Sequence, residues 1–216
     1  MTRPVRQGNA HARASASCNE SMSICDYTIV TQAVRHPDFA IRTASVAEID
    51  TLYAIDLDAS VLFERAGLHL DLPADHEFCV TERNRWSRSL AAGAALIAND
   101  AAGEPVGFAA AGMLDGEPYV EQLSVRTRFM RRGVGTALLN AVARIAGNAG
   151  SHALWLTTYG HLSWNRPFYE RAGFVAMSES ECGPEISEVL RFERRWLPFP
   201  EKRVVMRRAL GSDLRR

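Results

Sequence analysis

The chain has no excess charge of either sign: 25 Lys and Arg balance 25 Asp and Glu. A nucleic-acid binder would carry a basic surplus. The Arg-rich end (Arg203, Arg207, Arg208, Arg215, Arg216) is short and has no interleaved aromatics, so no nucleic acid is expected as a partner. There is no run of about 18 apolar residues, so no membrane-spanning helix is expected. Cysteines are few: Cys18, Cys25, Cys79 and Cys182 form no C-x-x-C pair, and no Cys/His group has zinc spacing. We expect reduced thiols, a cytoplasmic protein and no metal.

What is present suffices for one sizeable core: 216 residues, 47% of them hydrophobic. Residues 1–36 stand apart. They are rich in Ala, Ser and Arg, have no acid before Glu20, and lack the apolar stretch of a secretory signal. They read as a disordered N-terminal extension, with a transit peptide or a true start at Met22 as alternatives. Residues 37–210 read as one α/β domain, and 211–216 as a tail.

Within 37–210 the pattern is regular. Phe39–Arg42 alternates as a short strand, and Ser45 with Glu48 forms a capping box. Ile49, Leu52, Ile55 and Ala59 follow at helical spacing up to Gly67. A second helix is expected from Phe78 to Ala92. Ala94–Asn99, Pro105–Leu114 and Tyr119–Val125 are joined by tight turns and predict an antiparallel meander. A helix follows with Val134, Ala137, Leu138, Ala141, Val142 and Ile145 on one face. Then come a strand at Ala153–Thr157, a short helix at Asn165–Ala172, a strand at Phe174–Met177, a partly helical stretch over 179–202, and a last strand at Arg203–Arg207.

The informative segment is the junction of Tyr119–Val125 with the helix after it. Arg131-Arg132-Gly133-Val134-Gly135-Thr136 puts two arginines and two glycines between a strand and a helix N-terminus. The unpaired N–H groups of a first helical turn, the helix dipole and guanidinium donors together favour an anion, a phosphate above all. A dinucleotide fingerprint would need glycine where Leu138 stands, after the first strand of a βαβ unit. A Walker loop would need lysine after the last glycine, where Val134-Gly135-Thr136 has none.

The element order, the turn Met130-Arg131-Arg132-Gly133-Val134-Gly135 and the later Asn165, Phe168, Tyr169, Gly173 and Phe174 resemble the GNAT superfamily of acyl-CoA-dependent N-acetyltransferases. The resemblance covers about residues 39–210. Met130 departs from the Gln or Arg that opens the family's phosphate motif, which binds mainly through backbone N–H groups.

The resemblance implies a mixed, mostly antiparallel sheet flanked by helices, with two central strands splayed apart. It implies acetyl-CoA as co-substrate, its pyrophosphate on Arg131, Arg132, Gly133, Val134, Gly135 and Thr136. It implies further contacts at Leu123, Ser124 and Val125 of the first splayed strand, and at Asn165 and Phe168. The acceptor is then a small-molecule or peptide amine, and the oligomeric state is open between monomer and homodimer.

An attacking amine must lose a proton. Tyr119, Glu121 and Leu123 alternate onto one strand face, and Glu121 is the better base, because burial raises a carboxylate's pKa toward the working range. Tyr119 or water are the other candidates. Tyr169 matches the tyrosine that serves the leaving thiolate, and with Glu121 makes the candidate catalytic pair. The acids Asp56, Asp58, Glu64, Asp71 and Asp75 read as a solvated face. A non-catalytic acyl-CoA-binding sensor or scaffold is the competing class.

Overall fold

The computed structural model describes residues 34–70 and 72–211. The readings of an N-terminal extension and a C-terminal tail fall almost wholly outside those residues, as do Cys18, Cys25 and Asp71. Among the described residues no helix is long and apolar enough to cross a membrane, and Cys79 and Cys182 are free thiols.

Strands β1 (Val34–His36) and β2 (Phe39–Thr43) form a hairpin, so Val34–His36 is strand although it lies within the stretch read as an extension. The Ser45–Glu48 capping box is present, but it opens a turn of 3-10 helix over Val46–Glu48 that runs into α1 (Ile49–Arg65). After α2 (Glu77–Ala91), strands β3 (Ala95–Asp100), β4 (Pro105–Leu114) and β5 (Glu117–Val125) form the expected antiparallel meander. Helix α3 (Val134–Asn148), β6 (Ala153–Tyr159), α4 (Arg166–Arg171), β7 (Val175–Met177), α5 (Pro184–Trp196) and β8 (Arg203–Ala209) complete the chain.

Among the described residues eight strands join one sheet in the order β1-β2-β3-β4-β5-β6-β8-β7. The last strand thus inserts between β6 and β7, antiparallel to both. β5 and β6 are parallel neighbours. The fold is mixed α/β, a mostly antiparallel sheet flanked by helices.

Strand alternation divides the core. Leu96, Ala98, Ala109, Val120, Leu154 and Leu156 face α3, whose Val134, Leu138, Leu139, Val142 and Ala146 are buried against them. Ala95, Ile97, Phe108 and Ala110 face the other way, toward Leu52 and Ile55 of α1 and Trp86 and Leu90 of α2. On that second face α5 covers β5, β6 and β8 through Ile186, Val189 and Leu190, packed on Tyr119, Trp155 and Val205.

Helix α5 is anchored by a distant carboxylate. Asp115, in the β4–β5 turn with φ 51°, accepts the N–H of Glu185 and of Ile186, each at 3.0 Å. The approach is so close that a Cβ on Gly183 would lie 2.2 Å from Asp115. A carboxylate on free N–H groups at a helix N-terminus stabilises by roughly 1–2 kcal/mol. Asp115→Ala is therefore expected to lower unfolding free energy by about that amount in urea titrations. An unchanged midpoint would show that the cap is not needed.

Candidate active site

β5 and β6 pair at one register position, Tyr119 with Trp155, and then part. The gap between β5 beyond Tyr119 and the far end of β6 passes through the sheet, with α3 on one side and α1, α2 and α5 on the other.

A bulge lies at the point of parting. Ala110 pairs with Gln122 and Ala111 with Val120, so Glu121 is the extra residue of β5. Such an insertion sends two consecutive side chains to one face. Glu121 and Gln122 both point toward α1 and α2, where Glu121 meets Arg85 and Gln122 meets Asp56. This corrects the simple alternation. Tyr119 and Glu121 share a face, but Leu123 points the other way and packs with Val125 on the α3 side.

On the α3 side the turn has the expected form. Arg131 (φ 61°) and Gly133 (φ 84°) are left-handed, and Gly133 is the N-cap of α3. The first helical hydrogen bond runs from Ala137 to the Gly133 carbonyl. The N–H groups of residues 131–136 have no partner among the described residues. Arg131 and Arg132 are exposed beside them.

The two glycines differ in kind. A Cβ at Gly133 would meet nothing, so its backbone angle demands glycine. A Cβ at Gly135 would rest 3.5 Å from Phe168 and 3.6 Å from Val125, an ordinary contact. Phe168 is thus held against the turn. Asn165 is the N-cap of α4, but its side chain makes no cap hydrogen bond; its carbonyl accepts the N–H of Phe168 at 3.0 Å.

Tyr169 is buried on the same side, edge-on to Phe168 and Phe174. Burial pushes its phenol up to about 12, with the Arg203 charge pulling weakly the other way.

The opposite face holds charges. The Glu121 side chain is only 9% exposed. Its Oε2 has no hydrogen-bond partner and lies 3.8 Å from Arg85 Nε. Burial raises its pKa, Arg85 and Arg88 draw it down, and Glu193 adds to the rise. Its carboxylate occupies the space that Gly112 leaves empty: a Cβ there would stand 2.5 Å from Oε1.

Arg85 Nη1 donates to Glu82 at 3.0 Å. Burial nevertheless outweighs that guanidinium and lifts Glu82 to about 8.

Beside them the Tyr119 hydroxyl meets Thr157 Oγ1 at 2.7 Å. Thr157 donates onward to Glu193 at 2.7 Å and accepts from Arg203 at 2.8 Å, so Tyr119 is the donor. Arg203 closes the network on Glu193 at 2.6 Å. Burial holds Tyr119 far above the usual phenol range.

Two readings of the sequence change here. The Ser124 hydroxyl donates to Asp56 Oδ1 at 2.6 Å, as does Gln122 Nε2, a side-chain bond that does not bear on the backbone contact expected at Ser124. Asp56 is therefore not a solvated acid; burial is the main cause that raises its pKa, against those two donors. Asp58 likewise has a fixed task, accepting the Thr127 N–H at 2.6 Å. Glu64 and Asp75 are exposed, as expected. Among the described residues no group of three or more His, Cys, Asp or Glu is placed to hold a metal.

The residues missed in the sequence are Glu82, Arg85, Gly112, Glu193 and Arg203. One signal was there: Ile186, Val189, Leu190 and Glu193 form the buried stripe of α5, an acid at an apolar helical position.

Two measurements check this geometry. Gly112→Ala displaces only the flexible end of Glu121, so the expected melting shift is under about 3 °C, while any activity that depends on Glu121 falls at least ~10-fold; full activity would show the carboxylate does not matter. Glu82 binds its proton more tightly folded than unfolded, from 4.5 to about 8. The folded state thus loses stability as pH rises across that window, by up to roughly 1.4 kcal/mol per unit. Urea midpoints are expected to fall from pH 5 to 9 in wild type and to fall less in Glu82→Gln. Equal slopes would contradict a buried, protonated Glu82.

Known structures share this fold. N-acetylglutamate synthase from Neisseria gonorrhoeae, complexed with coenzyme A and N-acetyl-glutamate, superposes with TM-score 0.57 at 18% identity over 82% of this chain, which spans only 36% of that one. PaiA N-acetyltransferase from Thermoplasma acidophilum, in complex with coenzyme A, gives 0.56 at 15% identity over 79% of this chain and 98% of its own. An acetyltransferase of the GNAT family from Staphylococcus aureus gives 0.58 at 16% identity over 80% and 99%. At these identities the likeness is one of fold. The model of the acetyltransferase (GNAT) family, however, matches residues 61–174, more than half the chain, from the last turn of α1 through the glycine turn to Phe174. The chain belongs to the acetyltransferase (GNAT) family.

Proposed function

We propose that the chain transfers the acetyl group of acetyl-CoA to a primary amine by direct attack. The observation that carries this is the row of unpartnered N–H groups over residues 131–136, at one mouth of a gap whose other mouth holds the buried carboxylate of Glu121.

The residues fit the co-substrate. Backbone N–H groups of 131–136, with Arg131 and Arg132, would hold the pyrophosphate. The edge of β5 at Leu123, Ser124 and Val125 would pair with the extended arm through its backbone. Phe168 backs the turn, and Asn165 lies beside it. Acetyl-CoA supplies the activated acyl group. Strand N–H groups in the gap favour negative charge developing on the thioester oxygen.

Glu121 accepts the proton of the attacking ammonium. Its raised pKa makes it a stronger base than an exposed carboxylate, and its vacant Oε2 is the accepting atom. Tyr119 is unsuited to that role, since its hydroxyl already donates to Thr157 and burial opposes its ionisation. Tyr169 faces the departing sulfur. With a phenol near 12 and a thiol near ~8.5, full proton transfer would run uphill by about 3.5 units, roughly 5 kcal/mol. Tyr169 therefore stabilises the thiolate by a hydrogen bond, and bulk water supplies its proton later.

Glu121→Gln should lower kcat/KM by about 10²–10⁴ and abolish the acidic limb of the pH profile, since activity rises as the base deprotonates. Tyr169→Phe should lower kcat by about 10-fold, the worth of one hydrogen bond to a charge. Coenzyme A at 100 times its Kd should stabilise both variants by about 2.7 kcal/mol, and ATP or NAD should not. Full transfer by both variants with unchanged pH dependence refutes the acid–base assignment. If the wild type binds acetyl-CoA but acetylates nothing in a broad amine panel, a binding module is the correct reading.

A further inference from the structure

Arg85 stands between two carboxyl groups and hydrogen-bonds to one of them. Its Nη1 donates to Glu82 Oε1 at 3.0 Å, three residues back on α2. Its Nε lies 3.8 Å from Glu121 Oε2, an ion pair too long for a hydrogen bond. The guanidinium also lies 5.8 Å from the centre of the Phe192 ring on α5. The Arg85 side chain is 12% exposed and that of Glu82 19%, so salt and water screen the group little.

The near miss at Glu121 matters because of what surrounds it. Among the described residues Oε2 has no hydrogen-bond partner, although the side chain is only 9% exposed. Arg85 and the exposed Arg88 of α2 draw its pKa down, and Glu193 of α5 raises it. Arg203 of β8 sits on Glu193 at 2.6 Å. Tyr119, two residues back on β5, is held protonated by burial. β4 brings Gly112, whose missing side chain leaves room for Oε1. Asp56 of α1 is turned to Gln122 and Ser124. Arg85 is therefore the buried cation able to close on Oε2: a movement of about 1 Å brings Nε to charge-assisted hydrogen-bond distance.

We propose that Glu82 and Arg85 are positioning residues for Glu121: the hydrogen bond from Arg85 to Glu82 holds the guanidinium back, so that Glu121 Oε2 stays open to accept a proton. The inference rests on the reading of Glu121 as the base. Two carboxyl groups compete for one cation. A full ion pair on Oε2 would hold Glu121 charged and make it a weak proton acceptor. With no cation in that dry site Glu121 would keep its proton, and a protonated carboxyl takes none from an amine. A guanidinium at 3.8 Å, tied to another group, lies between these limits. Glu82 keeps its own proton up to about 8. Over the neutral range it thus anchors Arg85 as a hydrogen-bond acceptor without cancelling the guanidinium charge.

The test follows the Glu121 carboxyl itself. The full chain is isotope-labelled at the glutamate side-chain carboxyl carbons, and the signal that Glu121→Gln loses is titrated by NMR. Glu82→Met keeps the bulk but offers Arg85 no oxygen, so the Glu121 midpoint should fall by at least about 1 pH unit as the guanidinium closes on Oε2. Arg85→Met removes the cation, and the midpoint should rise by at least about 1 pH unit. Glu82→Gln keeps a carbonyl acceptor and should leave the midpoint within about 0.3 pH units of wild type. The double variant should match Arg85→Met, because Glu82 acts through Arg85. A loss of folded protein lowers the signal but does not move its midpoint. With the amine of the panel above that is turned over fastest, the acidic limb of kcat/KM should move in the same direction in each variant.

A midpoint that does not fall in Glu82→Met, or does not rise in Arg85→Met, overturns the inference and leaves Glu121 standing as the base. So does a fall caused by Glu82→Met when Arg85 is already methionine. Should Glu82→Met not fold, Arg85→Met and Glu82→Gln decide by the same criteria. An acidic limb that survives in Glu121→Gln, or no turnover of any amine, defeats the reading of Glu121 as the base and the inference with it, whatever the midpoints show.

Discussion

The pairing of β5 with β6 ends after Tyr119 and Trp155, and the rest of the site depends on that ending. Two parallel strands in mid-sheet would ordinarily continue, since each unpaired N–H or C=O inside a fold costs free energy. Here continuation is blocked from both strands. The extra residue at Glu121 disrupts the ladder with β4 and turns the strand. On β6, Thr157 is held by Tyr119, Glu193 and Arg203, and β8 claims the far edge along seven register positions. The sheet thus keeps an open internal edge, where an extended ligand can supply the missing strand.

The same parting explains the charges. A buried network of this kind is poor value for stability, because apolar residues of similar volume usually do as well or better. At Glu82, held near 8, burial outweighs the neighbouring guanidinium that lowers it. Such groups gather where chemistry or binding needs them. The fold accommodates them by spreading them over five elements: Asp56 on α1, Glu82 and Arg85 on α2, Glu121 on β5, Glu193 on α5, Arg203 on β8. No single helix carries the whole cost.

This distribution also sets what the sequence can disclose. The glycine turn, the α3 stripe, the meander and the Asn165–Phe174 segment are local patterns, and the structure reproduces each within a few residues. The bulge at Glu121 is not local. It exists only in the register between β4 and β5, so Leu123 was assigned to the wrong face while Tyr119 and Glu121 were assigned correctly to one. Asp56 was misread for a similar reason. An acid on an amphipathic helix looks solvated until the partner strand is known, and its partners, Gln122 and Ser124, lie 66 and 68 residues away. Arg203 meets Glu193 and Thr157 only because β8 inserts between β6 and β7, an order that local periodicity does not encode. Gly112 has no signal of its own within Pro105–Leu114, and its meaning comes from the carboxylate placed against it.

The two faces of the gap divide the proposed chemistry by solvation. On the α3 side the phosphate turn is exposed, which suits a ligand group that stays hydrated and charged. On the other side burial lifts Glu121, Glu82 and Asp56 together. A proton taken from the attacking nitrogen is therefore held more firmly there than by a surface acid, and the nitrogen is left neutral where it must attack. Tyr169 stands at the boundary. Enclosed among Phe168 and Phe174, it keeps its proton at any physiological pH. In the proposed reaction it would therefore stay a hydrogen-bond donor toward the sulfur and would not compete with Glu121 for the amine's proton. Base and donor are kept from exchanging roles by their chemistry: burial raises both pKa values, but one starts from a carboxylate and the other from a phenol.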